Sequence, residues 1–86
     1  MVEKSVVIEN ESGLHARPAA QLSNFVKGYE GSVVIINGDR SGDAKSILNL
    51  LSMGIKKGTE IKVQVTGEDE ENFANSLADF ITKLEG

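Results

Sequence analysis

Polar and apolar positions alternate most cleanly at Glu60 to Thr66, where Ile61, Val63 and Val65 fall between Glu60, Lys62, Gln64 and Thr66. A period of two puts the three apolar residues on one face, so this segment reads as a strand with a core side and a wet side. Glu3 to Glu9 alternates more loosely, Val6 and Ile8 against Ser5, Val7 and Glu9, and reads as a first strand. Val33-Val34-Ile35-Ile36 is a β-branched run, so Ser32 to Ile36 predicts a second strand at least partly covered on both faces. Asn37-Gly38 is a hairpin signal. The strand it returns into, about Arg40 to Asp43, has little β preference and is expected to be short and at a sheet edge.

Between these lie helical periods. From about Ala16 to Lys27, Ala19, Leu22, Val26 and Tyr29 recur at helical spacing with Phe25 beside them. Pro18 falls in the first turn, where no intrahelical N–H bond is lost, and Gly28 sits where a C-terminal cap belongs. A short helix lies within Ala44 to Met53 with Ser46 as its N-cap. Its large apolar residues cannot all face one core: Leu50 and Met53 are assigned inward, and Ile47, Leu48 and Leu51 are expected to be at least half exposed. Thr66 and Asp69 stand at capping-box spacing before a last helix, with Glu68 to Glu71 in its first turn and Phe73, Ala74, Leu77, Phe80, Ile81 and Leu84 as its buried stripe. The order β-α-β-β-α-β-α has too few helices to cover two faces. It predicts an α+β fold with the helices on one side of a four-stranded sheet.

Eighty-six residues make one small domain, taken as residues 1–86, with a thin aliphatic core: there is no Trp, one Tyr and three Phe. The absence of Cys removes disulfides and thiolate metal sites and fits a reducing cytoplasm. A single His makes a histidine-based metal site in one chain an unfavourable reading, and no metal or cofactor is expected. The longest apolar run, Val33 to Ile36, is far too short to cross a membrane, so no membrane insertion is expected. A net charge of −4 argues against direct nucleic-acid binding. The acids cluster at Glu68 to Glu71, whereas Arg17, Lys27, Arg40 and Lys45 lie in the other half, so a locally basic surface is expected near His15.

Ser12-Gly13-Leu14-His15-Ala16-Arg17-Pro18-Ala19-Ala20 holds the only His and the only Pro of the chain. A glycine loosens the backbone two residues before the histidine, and an arginine two residues after it adds a fixed, planar charge. A helix start supplies unpaired N–H groups and partial positive charge, hence an anion site. Spacing alone leaves two readings: a place where a phosphoryl group is received, or a histidine at a helix start with no chemistry.

Gly13-Leu14-His15-Ala16-Arg17-Pro18, together with Ala44-Lys45-Ser46-Ile47, Leu51-Ser52-Met53-Gly54 and Lys57-Gly58-Thr59-Glu60-Ile61, resembles the HPr family. These are the histidine-containing phosphocarriers of the phosphoenolpyruvate-dependent sugar phosphotransferase system, and the resemblance spans essentially the whole chain. It implies an open-faced β-sandwich with strand order 1-4-2-3 and three helices on one face, in a protein that is a carrier and not an enzyme. It implies that His15 accepts a phosphoryl group on Nδ1 from phosphorylated enzyme I and passes it to enzyme IIA components. Arg17 and the N–H groups of Ala16 and Arg17 would hold the phosphoryl oxygens. Ser46 matches a regulatory serine modified by HPr kinase/phosphorylase, after which a catabolite-control transcription regulator becomes a partner; a plain N-cap is the structural reading of the same residue. Ile47, Leu48 and Leu51, with Ala20, Asn24 and Lys27, match a partner-docking surface on a monomer, with ordinary core as the other reading of the three apolar residues. The chain departs from the family in three places. Leucines stand at 48 and 51 where methionines are common, Asn24 where many members have lysine or glutamine, and the hairpin Asn-Gly comes one position early, which leaves the regularity of Asp39 to Asp43 open. The alternative role is a regulatory or nitrogen-branch phosphoprotein not dedicated to sugar uptake. An acyl carrier protein, also small and acidic, is all-helical and is contradicted by the strand at Glu60 to Thr66.

Overall fold

The computed structural model describes residues 1–84. Its elements run β1 (Val2–Val7), α1 (Ala16–Lys27), β2 (Ser32–Asn37), β3 (Arg40–Asp43), α2 (Ile47–Ser52), β4 (Glu60–Thr66) and α3 (Glu70–Thr82). The strands form one antiparallel sheet in the order β1-β4-β2-β3. Register follows the hydrophobic alternation: Val6 lies opposite Ile61, Val33 opposite Val65 and Ile35 opposite Val63. All six are buried and form the face on which the helices lie. The other face carries the exposed Glu3, Ser5, Glu60 and Lys62.

Each helix inserts one fully buried leucine into that core: Leu22 from α1, Leu50 from α2 and Leu77 from α3. Burying such a side chain contributes about 1.5–3 kcal/mol, so these three residues fix where the helices lie on the sheet. α1 and the turn after it meet α3 through a run of packed rings, with Tyr29 stacked 4.1 Å from Phe73, Phe25 stacked 4.3 Å from Phe80 and Phe73 tilted against Phe25 at 5.6 Å between ring centres.

The structure corrects several expectations. The hairpin turns at Gly38-Asp39, not at Asn37-Gly38: Asn37 is the last residue of β2, paired with Arg40, and its side chain donates to the Met53 carbonyl at 3.3 Å. Gly38 supplies the positive φ of a two-residue hairpin loop. β3 is a regular four-residue edge strand, as its weak pattern indicated. α2 runs Ile47–Ser52 with Ser46 as its N-cap, as expected, and Ala44 before it extends the sheet edge, its N–H bonded to the Val33 carbonyl. Ile47 is partly buried against the core and Leu51 is 39% exposed, so of the three outward residues only Leu48, at 78%, passes the half-exposed mark. No Thr66–Asp69 capping box forms. Thr66 stays in β4, and Asp69 is itself the N-cap of α3, in the left-handed region at φ 57° with no side-chain cap. Only Glu70 and Glu71 fall in the first turn of α3, and Glu70 accepts the Gly67 N–H at 3.0 Å.

Candidate functional site

The segment between β1 and α1 is fastened to the turn before β4. Ile8 donates to the Thr59 carbonyl at 2.9 Å and accepts from Gly58, and Leu14 donates to the Ile55 carbonyl at 3.0 Å. Leu14 and Asn10 are buried, and the Asn10 side-chain amide donates to the Gly13 carbonyl. Gly13 sits at φ +64°, and a Cβ there would lie 2.4 Å from the Ile55 carbonyl oxygen and 2.7 Å from the Lys56 Cα. Only glycine lets the two backbones approach this closely. Lys57 and Glu11 bridge the same two segments at 2.8 Å on the surface. The hydrogen bond and charge of Lys57 hold the Glu11 carboxyl below its ordinary range.

This clamp delivers His15 to the N-cap of α1 in extended backbone, φ −83° and ψ −173°. Its side chain makes no capping bond, and the residue is exposed. His15 carbonyl accepts from Ala19, and Pro18 has no N–H to offer. Among the described residues the amides of Ala16 and Arg17 are therefore left without an internal partner at the positive end of a twelve-residue helix. Arg17 is exposed and makes no ion pair among the described residues. The result is an imidazole, a guanidinium and two N–H donors that point to solvent from one helix start, an arrangement suited to a tetrahedral anion. Among the described residues no group of three or more His, Cys, Asp or Glu could hold a metal ion, and no helix is long and apolar enough to cross a membrane.

The family model described as "PTS HPr component phosphorylation site" matches residues 2–83. The chain belongs to the HPr family. It is 39% identical over 77 residues to phosphocarrier protein HPr of Mycoplasma capricolum, covering 90% of this chain and 86% of that one. It is 40% identical over 79 residues to a multiphosphoryl transfer protein of Haemophilus influenzae; 88% of this chain is covered, and the chain spans 16% of that protein's length. The crystal structure of HPr-C-His from Thermoanaerobacter tengcongensis superposes with a TM-score of 0.89 at 33% identity, covering 94% of this chain and 91% of the other. The chain is thus a phosphocarrier of the phosphotransferase system and not an enzyme.

The remaining HPr-matched positions fall on two adjoining helices. Arg17, Ala20, Asn24 and Lys27 recur at three- and four-residue spacing along one side of α1; Asn24 and Lys27 are exposed and Ala20 half-buried. α2 is tied to that helix by the buried Ser23 hydroxyl, which donates to the Lys45 carbonyl at 2.9 Å, and by Lys45 Nζ, which donates to the Tyr29 carbonyl at 2.8 Å. Ser46 caps α2 and accepts from the Asn49 N–H at 3.3 Å and the Asn49 side-chain amide at 3.1 Å. Leu48 and Leu51 stand outward beside it. Among the described residues no hydrogen bond or ion pair joins Ser46 to His15 or Arg17.

The basic surface expected near His15 is narrower than the sequence indicated. Arg40 donates to the Ser52 carbonyl at 3.1 Å, at the end of α2, and Lys45 to the Tyr29 carbonyl beyond α1, so two of the four cations are directed at main-chain carbonyls. Sequence reasoning missed Asn10, Ser23 and Asn49, which place the site residues. Asn49 alone had a readable signal, a polar side chain three residues after an N-cap serine.

Proposed function

We propose that the chain carries a phosphoryl group on His15. The observation that supports this most is a histidine at an N-cap whose ring is not used as a cap, beside two amides and an arginine that are unpaired among the described residues. An unprotonated imidazole nitrogen is a nucleophile, and Nδ1 attacks the phosphorus held on phosphorylated enzyme I. The donor's bond to phosphorus breaks as the Nδ1–P bond forms, and the Nδ1–P bond breaks in turn when the group passes to an enzyme IIA component. The transferred group has charge spread over its oxygens and needs positioning more than covalent help. Arg17 and the N–H groups of Ala16 and Arg17 supply that, each charge-assisted bond contributing about 1.5–3 kcal/mol. Exposure limits the total, which keeps the group transferable.

Partners dock on α1 and α2. Ala20, Asn24 and Lys27 form the polar side of the docking surface, and Ile47, Leu48 and Leu51 the apolar side, with Leu48 as its most protruding member. Ser46 is the control point. HPr kinase/phosphorylase transfers phosphate from ATP to its Oγ, placing negative charge beside Leu48 and weakening enzyme I docking while favouring a catabolite-control transcription regulator. The protein acts as a monomer in the cytoplasm.

Incubation with enzyme I and phosphoenolpyruvate should give one acid-labile phosphate, absent from His15→Ala. Retention of that phosphate in His15→Ala would overturn the assignment. Incubation with the kinase and ATP should give an acid-stable phosphate that Ser46→Ala lacks. Transfer from the phosphorylated chain to a sugar-specific enzyme IIA separates the sugar pathway from a nitrogen-branch role.

A further inference from the structure

At the opposite end of α1 from His15, the residues after Lys27 face the start of α3 across a cavity of about 370 Å³ lined by Tyr29, Glu30, Glu68, Asp69, Asn72 and Phe73 among others. Its apolar part is aromatic: the Tyr29 and Phe73 rings lie 4.1 Å apart and 11° from parallel, and the Tyr29 hydroxyl donates to the Glu68 carbonyl at 2.8 Å. The backbone around it is tightly set. A Cβ on Gly31 would collide with the Thr66 carbonyl, and one on Gly67 would lie 2.7 Å from the Tyr29 hydroxyl. The shape is therefore built into the fold.

The carboxylates of Glu30, Glu68 and Asp69 dominate the charge at its rim; no Lys or Arg lines the cavity, and the nearby Lys45 ammonium is bound to the Tyr29 carbonyl at 2.8 Å. Among the described residues none of these three makes an ion pair, whereas the neighbouring Glu71 pairs with Lys4. The negative end of α1 and the positive end of α3 meet here and offset each other, so the carboxylates decide the potential. Burial, followed by the charges of Glu70, Asp69 and Glu68, pushes the Tyr29 phenol up.

We infer that this cavity is a docking site for an arginine side chain presented by a basic segment of a partner protein. A guanidinium is planar and weakly hydrated, so it packs on aromatic rings while its fork of donors reaches carboxylates on either side. A lysine ammonium is a strongly hydrated point charge and gains little from the rings. The twelve residues of α1 separate this cavity from His15 by roughly 18 Å at 1.5 Å per residue. A partner held here leaves the His15 end open, so the inference stands independently of the phosphocarrier reading.

The test is titration of the ¹⁵N-labelled full chain with acetyl-Leu-Arg-Arg-Leu-amide, followed by NMR, against the matched peptide with lysine in place of arginine. Saturable shifts are expected at Gly31 and from Glu68 to Phe73, with Ala16 and Arg17 unmoved. The lysine peptide should bind more weakly. The combined variant Glu30→Gln, Glu68→Gln, Asp69→Asn keeps the shape, because asparagine tolerates the positive φ at 69, and should weaken arginine-peptide binding about ten-fold. Phe73→Leu should weaken it with the carboxylates intact. Equal binding to the combined variant, lysine-peptide affinity matching the arginine peptide, or shifts that spread without saturation or centre on His15 would each overturn the inference.

Discussion

His15 and Ser46 occupy the same position, the N-cap of a helix on the same side of the sheet, and use it in opposite ways. Ser46 spends its hydroxyl on α2, accepting two bonds from Asn49, and Arg40 and Asn37 cover carbonyls at the other end of that helix. His15 spends only its carbonyl on α1, accepting from Ala19; its ring makes no cap, and among the described residues the two amides beyond it are unpaired. Helix length accounts for the difference. Six residues are too few to hold a helix by propagation, so α2 depends on its caps. Twelve residues with Ala19, Leu22 and Val26 fully buried hold α1 by packing, and its N-terminus can be left unsatisfied and available to an anion. Backbone placement shows the converse. His15 is held by main-chain bonds to a distant turn, whereas the start of α2 has the main-chain bond of Ala44 with Val33 and adds to it the side-chain bonds of Ser23 and Lys45.

The largest effect that tests this contrast is His15→Ala. Enzyme I-dependent phosphorylation should vanish while the urea unfolding free energy changes by no more than about 0.5 kcal/mol, because the residue is exposed and its ring makes no capping bond. A large loss of stability would mean that His15 caps α1 after all. Next is Gly13→Ala. Its Cβ would overlap the Ile55–Lys56 backbone in a left-handed conformation, so stability should fall by about 2 kcal/mol or more, with a parallel loss of phosphotransfer rate. A stable, active Gly13→Ala would show that the clamp is not what places His15. Ser46→Ala should cost about 1 kcal/mol in the same unfolding measurement and leave His15 phosphorylation by enzyme I close to normal. Equal costs for Ser46→Ala and His15→Ala would erase the distinction between the two caps.

The sequence disclosed these two regions unevenly. Both helix starts were legible, since Pro18 and the apolar spacing bound α1 and a serine precedes Ile47. The bounds of β4 and α1 followed directly from period, and the strand order 1-4-2-3 came from family resemblance and not from pattern. What holds each cap in place was not legible. Gly13 reads as a loose glycine, but its reason is the carbonyl of Ile55, far along the chain. The Thr66–Asp69 spacing matched a capping box in sequence, yet Thr66 is committed to the β4 ladder and Asp69 adopts the left-handed region itself. Asn37-Gly38 misplaced the turn by one residue because Asn37 is drawn into pairing with Arg40 and toward Met53. In the Gly13 clamp, at Thr66 and at Asn37, a local signal is overridden by a contact to a residue distant in sequence.

The smallest effect separates backbone from side-chain fastening of the His15 loop. Glu11 and Lys57 join the same two segments as the Ile8, Leu14 and Gly13 contacts, but on the surface. The Glu11 carboxyl titrates below its ordinary value of 4.5 because Lys57 donates to it and faces it with positive charge. A depressed folded value means that the pair stabilises the protein above the unfolded value and that this contribution is lost as the pH falls through the folded one. Glu11→Gln should therefore have a slightly lower urea midpoint than the parent at pH 7. The two should converge as the pH drops below 4.5, and also at 1 M salt, where exposed pairs are screened. Phosphotransfer at pH 7 should be unchanged, since backbone hydrogen bonds and the close approach at Gly13 still place His15. If Glu11→Gln slows phosphotransfer without lowering the midpoint, the ion pair orients the loop, and the contrast between a backbone-held His15 and a Ser46 held also by side chains fails.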